Sequence, residues 1–341
     1  MSSWNDVAKV LVNYSVRVKP GDKVLITMME VETWPLARAC YQEAVKAGGF
    51  PFIEFQSVKL ERDIMCYGTR EQVDWVCDMH MMGMDWADCY IGLRGASNPS
   101  EFEGIPADII SAHKRSMGVI SAERNRTRWV LTRVPNEAFA QQAGQPLDEM
   151  MKFYFDSTTC DYSQLADRLG RVADRFNQGT RVRILGKDTN ITFSTEGRKY
   201  CAGVGSRNMP DGEVYTSPRE ETVNGYVYFD YPGVYAGKCI NGIRLTFKDG
   251  ELTSAKSDDE EELLHSVLHM DAGACKLGEF GIGLNYGVTN FCKDILYDEK
   301  IGGTIHLAMG RAYANCLGTN QSALHWDIVK NMRNGGEVDN V

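Results

Sequence analysis

The fold is decided by the stretch KVLITMMEVETWPLARACYQEAVKAGGFPFIEFQ, residues 23–56. Val24–Met28 is a short apolar run that is typical of a strand. Thr33 can cap a helix whose apolar residues keep helical spacing until Gly48-Gly49 ends it. Phe50–Phe55 is the next apolar run. This order predicts a strand, a helix and a second strand, which is the unit that builds parallel sheets.

The same alternation continues to about residue 135. Helix candidates begin at Thr69-Arg70-Glu71-Gln72, which has capping-box spacing, and near Pro106–Arg115, while strand candidates are Cys89–Leu93 and Trp129–Thr132. We therefore expect the α/β fold class, with an N-terminal doubly wound domain around a parallel sheet. Met28-Met29-Glu30-Val31 follows the first strand without a glycine-rich loop, so a dinucleotide site is disfavoured.

The second half of the chain has a different pattern of apolar residues and turns. Residues 146–176 predict two helices, and one more helix is expected near Asp258–His269. Short β-like runs separated by glycine-rich turns are Val182–Leu185, Asn190–Ser194, Tyr226–Phe229 and Ile243–Phe247. We expect an N-terminal α/β domain over residues 1–145, a helical connection over 146–178 and a C-terminal α+β, β-rich domain with antiparallel or mixed sheets over 179–341.

Charge and hydropathy disfavour two classes of partner. The 37 basic and 46 acidic side chains give a net charge of −9, and no run of lysine or arginine interrupts it, so we expect no nucleic-acid partner. No apolar stretch approaches the roughly 18 residues that a membrane span requires, so we expect no membrane partner. The N-terminus shows helical spacing from Val7 to Tyr14 in place of a signal peptide. An acidic chain suits a small substrate that carries an amine.

The cysteines indicate the compartment. Ten are scattered from Cys40 to Cys316 without a Cys-x-x-Cys pair. This pattern suits reduced, mostly buried thiols better than a disulfide framework or a thiolate zinc site. We therefore expect a cytoplasmic protein.

Histidines and isolated carboxylates near the C-terminus are the candidates for chemistry. In His325-Trp326-Asp327, residues two apart point to the same face of an extended segment, so His325 and Asp327 can reach one metal ion. Such a pair also occurs on ordinary protein surfaces. His306 stands alone in the apolar run Gly302–Gly310, where a satisfied core histidine is the alternative.

Two glutamates complete the set. Glu279 is isolated in the apolar run Leu277–Gly283, and a buried carboxylate needs a cation or a metal. Glu213 follows the turn Met209–Gly212, where a solvated loop acid is the alternative. Three carboxylates and two imidazoles are too many for one structural zinc, but they suit two divalent ions about 3.5 to 4 Å apart that share a carboxylate and a water. This chemistry suggests a two-metal hydrolase.

Four segments carry a resemblance to a known family: Asn208–Tyr215, Leu277–Glu279, Gly303–Tyr313 and Asn320–Asp327. In order and approximate spacing they resemble the motifs of the thermophilic-type metalloaminopeptidases, peptidase family M29. The resemblance implies that the positions of Glu213, Glu279, His306, His325 and Asp327 hold a pair of zinc, cobalt or manganese ions, and that Tyr313 lies in the active site. It also implies a C-terminal catalytic domain, a homodimer and a cytoplasmic aminopeptidase that acts on short peptides or aminoacyl compounds.

The residue roles stay open in three places. Tyr313 is a candidate donor to the oxyanion of the reaction, with a packed core ring as the alternative. Glu213 and Glu279 can act as ligands, or one can carry protons, so Glu279 is also a catalytic candidate. Nearby polar candidates are Arg219, Glu220, Arg311 and Asn320.

Two alternative functions share the same superfamily. One is a mononuclear iron dioxygenase that opens the ring of dihydroxypyridine, with iron held by two histidines and one aspartate. That resemblance would place a histidine at Glu279 and an apolar residue at Glu213, and this chain has carboxylates at both positions. The other is a hydrolase of small amides that uses the same site.

Overall fold

The computed structural model describes residues 3–341 and contains two compact units. The first comprises the chain up to Thr159 together with Gly205–Pro210, and the second comprises Cys160–Val204 and Asp211–Val341. The predicted connection over residues 146–178 is divided between the two units, and the short return of the chain at Gly205–Pro210 has no counterpart in the linear division drawn from the sequence.

Helices and strands alternate in the first unit, whereas strands dominate the second. The helices are α1 (Trp4–Lys9), α2 (Trp34–Lys46), α3 (Val58–Tyr67), α4 (Arg70–Val73), α5 (Asp78–Trp86), α6 (Ala107–Glu123), α7 (Glu137–Ala143), α8 (Leu147–Thr158), α9 (Tyr162–Phe176), α10 (Glu261–Leu268) and α11 (Ile295–Asp298). The strands are β1 (Lys23–Met29), β2 (Phe50–Gln56), β3 (Cys89–Arg94), β4 (Arg128–Arg133), β5 (Arg181–Gly186), β6 (Thr189–Ser194), β7 (Cys201–Gly203), β8 (Asn208–Met209), β9 (Glu213–Thr216), β10 (Asn224–Tyr228), β11 (Gly233–Tyr235), β12 (Lys238–Ile240), β13 (Arg244–Lys248), β14 (Glu251–Lys256), β15 (Leu277–Gly283), β16 (Thr304–Gly310), β17 (His325–Asn331) and β18 (Glu337–Asn340).

The first unit is built on a five-stranded parallel sheet in the order β2-β1-β3-β4-β8. The predicted α/β fold and its parallel sheet are confirmed. Leu25 of β1 packs in a core with Met84, Tyr90 and Ile120, which explains why the strand reads as a continuous apolar run. Thr33 occupies the N-cap of α2, but its hydroxyl donates to the carbonyl of Glu30 and does not cap the helix.

The second unit contains antiparallel sheets, as predicted. A six-stranded sheet has the order β14-β13-β10-β6-β5-β18, a five-stranded sheet has the order β17-β16-β15-β9-β7, and β11 and β12 form a hairpin. Phe193 of the larger sheet contacts Phe280 of the smaller one with ring centroids 5.4 Å apart. One face of the five-stranded sheet therefore packs on apolar side chains, and its other face is available for polar ones.

Two further features concern the state of the cysteines and the length of the helices. All ten cysteines are free thiols, of which four are buried, so fewer are buried than the sequence led us to expect. None of the helices in residues 3–341 is both long and apolar enough to cross a lipid bilayer.

Candidate metal centre

Four neighbouring strands bring the five predicted residues together. Glu213 begins β9, Glu279 lies in β15, His306 lies in β16, and His325 and Asp327 lie in β17. Residues that pair across an antiparallel sheet point to the same face. The register pairs Gly283 with Glu213, and Ala308 with both Glu279 and Asp327. All five side chains consequently project from the face of the sheet opposite Phe280.

Small residues on the same face give these side chains room. Gly281 pairs with His306 across β15 and β16, and a Cβ atom at Gly281 would lie 2.0 Å from His306 Nε2. Gly212, with φ of +136°, forms the turn just before Glu213 in a conformation that side chains rarely adopt. The isolated glycines of these motifs therefore make space for the imidazole and set the start of β9.

The side chains form one buried cluster. His306 Nε2 lies 3.3 Å from Glu213 Oε2 and 3.5 Å from Glu279 Oε1. His325 Nε2 lies 3.2 Å from Glu279 Oε2 and 3.5 Å from Asp327 Oδ2. Glu279 thus stands between the two histidines.

The cluster contains three groups whose ligand atoms lie within 4.8 Å of one another: Glu213, Glu279 and His306; Glu279, His325 and Asp327; and Glu299, His306 and Asp327. The first two groups have Glu279 in common. Two of the groups consist wholly of residues that the sequence singled out.

Buried polar atoms without partners test whether the residues fit a metal. Within the described residues, Glu213 Oε2, Glu279 Oε2, both ring nitrogens of His306, His325 Nε2 and Asp327 Oδ1 are buried and make no hydrogen bond. Such atoms are costly to bury unless something satisfies them. Imidazole nitrogen and carboxylate oxygen are ligands that zinc, cobalt and manganese accept, so the donor set fits divalent metal ions.

His325 is oriented for coordination. Its Nδ1 donates to the carbonyl oxygen of Arg311 at 2.7 Å. This hydrogen bond places the ring proton on Nδ1 and leaves the lone pair of Nε2 directed at the cluster. Arg311, a candidate from the sequence, therefore contributes through its backbone.

The pKa shifts show how strongly the charges interact. Burial opposes ionisation of Glu279, but His306 and His325 outweigh it and lower the pKa of Glu279 to about 2. Burial likewise opposes the charge on His325, yet Asp327 and Glu279 raise its pKa to about 10. Burial raises the pKa of Glu213 to about 8, against the opposing effect of Lys300. Protons on these imidazoles compete with metal ions for the same atoms, so metal binding releases protons.

Sequence reasoning missed three members of the cluster, Asp211, Glu299 and Lys300. The fully buried Lys300 Nζ donates to Glu213 Oε1 at 2.6 Å, contacts Glu299 and lies 3.9 Å from Asp211 Oδ1. Burial opposes the lysine charge, but Glu213 and Glu299 raise the pKa of Lys300 well above its ordinary value. In the sequence, Glu299 and Lys300 belong to a charged stretch that is typical of a solvated loop. Only their position after the short helix α11 brings them to the cluster.

Replacement of Lys300 by methionine is expected to lower the free energy of unfolding by about 3–5 kcal/mol, since removing one partner of a buried ion pair leaves uncompensated charge. Added divalent ions should recover part of this loss, because they supply positive charge to the same carboxylates. Urea denaturation with and without added zinc measures both effects.

Lys330→Met is the matched control for this prediction. Lys330 is also fully buried, but it pairs with Asp230 at 3.2 Å and with the carbonyl of Tyr228 at 2.9 Å. Its loss of stability should not respond to zinc. An equal zinc response in both variants would contradict the assignment of Lys300 to the metal centre.

The remaining candidates lie around the loop that follows β16. The Tyr313 ring stands 4.6 Å from the His325 ring, measured between centroids. Asn320 donates through Nδ2 to the carbonyl of Gly310 at 2.7 Å, and its backbone N–H donates to Glu220 at 2.8 Å. Glu220 and Asn320 therefore hold the loop that carries Tyr313. Arg219 is half-buried and pairs with Glu221.

A parallel α/β unit joined to a β-rich unit with clustered carboxylates and imidazoles defines a metal-dependent enzyme. The chain belongs to the M29 family, since the model of that family, described as thermophilic metalloprotease, matches residues 2–339. The chain is thus a metallohydrolase, as the sequence predicted.

Named relatives are similar over most of the chain. Aminopeptidase PepS of Streptococcus thermophilus is 24% identical, over 94% of this chain and 90% of that protein. Aminopeptidase T of Thermus thermophilus is 22% identical, over 94% of this chain and 90% of that protein.

Two solved structures share the fold. AmpT from Thermus thermophilus matches with a TM-score of 0.85 and 20% identity, over 99% of this chain and 94% of that one. The 2,5-dihydroxypyridine dioxygenase of Pseudomonas putida KT2440 matches with a TM-score of 0.61 and 12% identity, over 98% of this chain and 93% of that one. At these identities, both matches show only that the fold is shared.

Proposed function

We propose that this enzyme is an aminopeptidase that removes N-terminal residues from short peptides through a site for two divalent metal ions. The observation that carries the proposal is the position of the Glu279 carboxylate in two groups of three ligand atoms, one with Glu213 and His306 and the other with His325 and Asp327. His306 and Asp327 each connect one of these groups to a third group, which contains Glu299. A carboxylate common to two groups is the arrangement that a two-metal site uses.

The balance of buried charge supports two ions over one. Five carboxylates surround the cluster, those of Asp211, Glu213, Glu279, Glu299 and Asp327, and Lys300 supplies one positive charge. Metal binding requires deprotonated ligands, and with all five carboxylates ionised, two divalent ions together with Lys300 balance their charge. One ion would leave an excess of negative charge in a buried place. The ions that we propose are zinc, cobalt or manganese, which accept imidazole and carboxylate ligands.

The chemistry follows from the ions and from the protein groups beside them. When bound, the ions would lower the pKa of a water molecule and would act as a Lewis acid toward the scissile carbonyl. The carboxylates attract the amino terminus of a peptide, which is largely protonated at neutral pH because its ordinary pKa is about 7.7–8.0. In this proposal the hydroxyl of Tyr313, whose ring lies 4.6 Å from the His325 ring, donates a hydrogen bond to the oxyanion of the tetrahedral intermediate.

Tyr313 keeps that proton over the working range of pH. Burial and the nearby carboxylates, with Glu279 first among them, raise the pKa of Tyr313 above its ordinary value. The group therefore acts as a hydrogen-bond donor and not as a phenolate.

The homodimer and the cytoplasmic location that the family resemblance implies are part of the same proposal.

Metal analysis together with a panel of aminoacyl p-nitroanilides tests the proposed function. We expect two metal equivalents per chain, complete loss of cleavage after treatment with a chelator, and recovery with zinc, cobalt or manganese. A single iron together with oxygen uptake on a dihydroxypyridine would support the dioxygenase alternative. Cleavage of simple amides without cleavage of aminoacyl compounds would support a small-amide hydrolase.

A further inference from the structure

A cavity lies beside the metal centre, within the second unit. Its volume is about 170 Å³, and His325 and Asp327 belong to its lining as well as to the centre. The cavity lies along β17, which is the terminal strand of its sheet. A group bound in this cavity is therefore adjacent to two residues of the centre.

Most residues that line the cavity are apolar or aromatic, and they stand beside the polar groups of the metal centre. Segments that are distant in sequence contribute them: β11, β17 and the stretch around α11. The larger apolar wall residues include Val234, Tyr235, Phe291, Ile295, Trp326 and Val329. Apolar walls next to a polar centre are typical of a pocket that takes the uncharged part of a ligand.

Contacts behind the walls fix their shape. The indole N–H of Trp326 donates to the carbonyl of Val234 at 3.0 Å, and the Tyr235 ring meets the Trp326 ring edge-on at a centroid distance of 6.1 Å. Phe291 stacks on Tyr231 with centroids 4.8 Å apart and ring planes 11° from parallel. A pocket whose walls are already held in place loses little entropy when a ligand enters it.

We propose that this cavity receives the side chain of the first residue of the substrate and selects a large apolar side chain such as that of leucine or phenylalanine. The inference rests on the proposed aminopeptidase function, because the amino terminus and the scissile carbonyl of the substrate must lie at the adjacent metal centre. The size agrees, since an apolar cavity of about 150 Å³ is known to hold benzene. Burial of the apolar side chain then favours these substrates over smaller ones.

The polar lining residues do not favour a basic side chain. Asp298 Oδ1 already accepts hydrogen bonds from the backbone N–H of Cys292 at 2.7 Å and from its thiol at 3.3 Å. His325 and Asp327 belong to the metal centre, and the exposed Lys293 adds a positive charge to the lining. Neutral apolar residues are therefore the class that the pocket accepts.

Ile295 is the residue of choice for the test. Its side chain is 43% exposed, so its replacement should leave folding intact. In Ile295→Ala, we expect kcat/KM for leucine and phenylalanine p-nitroanilides to fall about 10-fold relative to alanine p-nitroanilide, because a few methylenes in a hydrophobic pocket are worth at least that factor. In Ile295→Glu, the same ratio should fall further, and kcat/KM for lysine p-nitroanilide should rise. Met270→Ala, at a position 42% exposed and outside the cavity, is the matched control and should leave every ratio unchanged.

A binding measurement separates failure of this inference from failure of the proposed function. Calorimetric titration with L-phenylalanine and L-alanine needs no turnover, and Ile295→Ala should weaken phenylalanine binding about 10-fold while alanine binding stays constant. Unchanged substrate ratios and unchanged phenylalanine binding in both Ile295 variants would overturn the pocket assignment, even in an active aminopeptidase. If the wild-type enzyme cleaves none of the p-nitroanilides, the proposed function fails, and the titration alone then decides whether the cavity takes apolar side chains.

Discussion

Glu279→Ala is expected to abolish turnover of aminoacyl substrates and to lower the bound metal from two equivalents to one. The reason is the position of this carboxylate in two groups of ligand atoms, so that its removal leaves each group one oxygen short. The loss of activity should exceed the roughly 10²- to 10³-fold cost of removing one donor from an oxyanion hole. Elemental analysis of the purified variant and steady-state kinetics measure the two effects.

The control for this prediction is Glu262→Ala. Glu262 is an exposed carboxylate on α10, and its replacement should change neither metal content nor rate. Glu279→His should not recover peptidase activity, although it creates a set of two histidines and one aspartate that suits iron. Full metal content with normal turnover in Glu279→Ala would reduce Glu279 to a structural carboxylate and end the two-metal proposal.

Tyr313→Phe is expected to lower kcat by roughly 10²- to 10³-fold, which is the cost of losing one preorganised donor to an oxyanion. Both metal equivalents should remain, because the raised pKa of Tyr313 keeps its hydroxyl protonated, whereas metal ligands bind in their deprotonated form. The KM for small substrates should change little, because the donor acts on charge that develops in the transition state.

Tyr215→Phe provides the comparison. Tyr215 lies on β9 beside Tyr313, with ring centroids 5.9 Å apart, but its hydroxyl accepts a hydrogen bond from Asn315 Nδ2 at 2.9 Å. Removal of this hydroxyl should cost a modest amount of stability and leave kcat within a few-fold of the wild type. An unchanged kcat in Tyr313→Phe would return Tyr313 to the alternative of a packed ring.

The sequence predicted the elements of the first unit well because their signals are local. Apolar runs and helical spacing placed β1 to β4 and α2 within a few residues of their observed ends. The helices α3 and α5 were not predicted, and α6 continues to Glu123, beyond the predicted end near Arg115. It could not predict β8, because Asn208–Met209 is only two residues long and joins β4 through a non-local pairing. The hairpin of β11 and β12 and the edge strand β18 were missed for the same reason: each is short, and its partner defines it.

Some residues of the proposed metal centre could likewise be predicted from local sequence, and others could not. Glu279 and His306 could be found because each is a single ionisable residue in an otherwise apolar or glycine-rich strand, where burial demands a partner. Glu299 and Lys300 could not, since their charged neighbours suggest solvent exposure. Their burial depends on the loop between β15 and β16 that returns to the sheet, as the backbone hydrogen bond from Asn285 to Lys300 shows.

The pairing of β16 with β17 also has a consequence for folding. Side chains alternate along a strand, so a slip of β17 by one residue would turn Trp326 toward the polar face and drive His325 and Asp327 against the apolar side of the sheet. Burying those charges among side chains such as Phe280 would be strongly unfavourable. The side chains of the proposed metal centre therefore also disfavour incorrect pairing of β16 with β17. In a refolding experiment, we expect recovered activity to follow the fraction of molecules in which these strands are correctly paired.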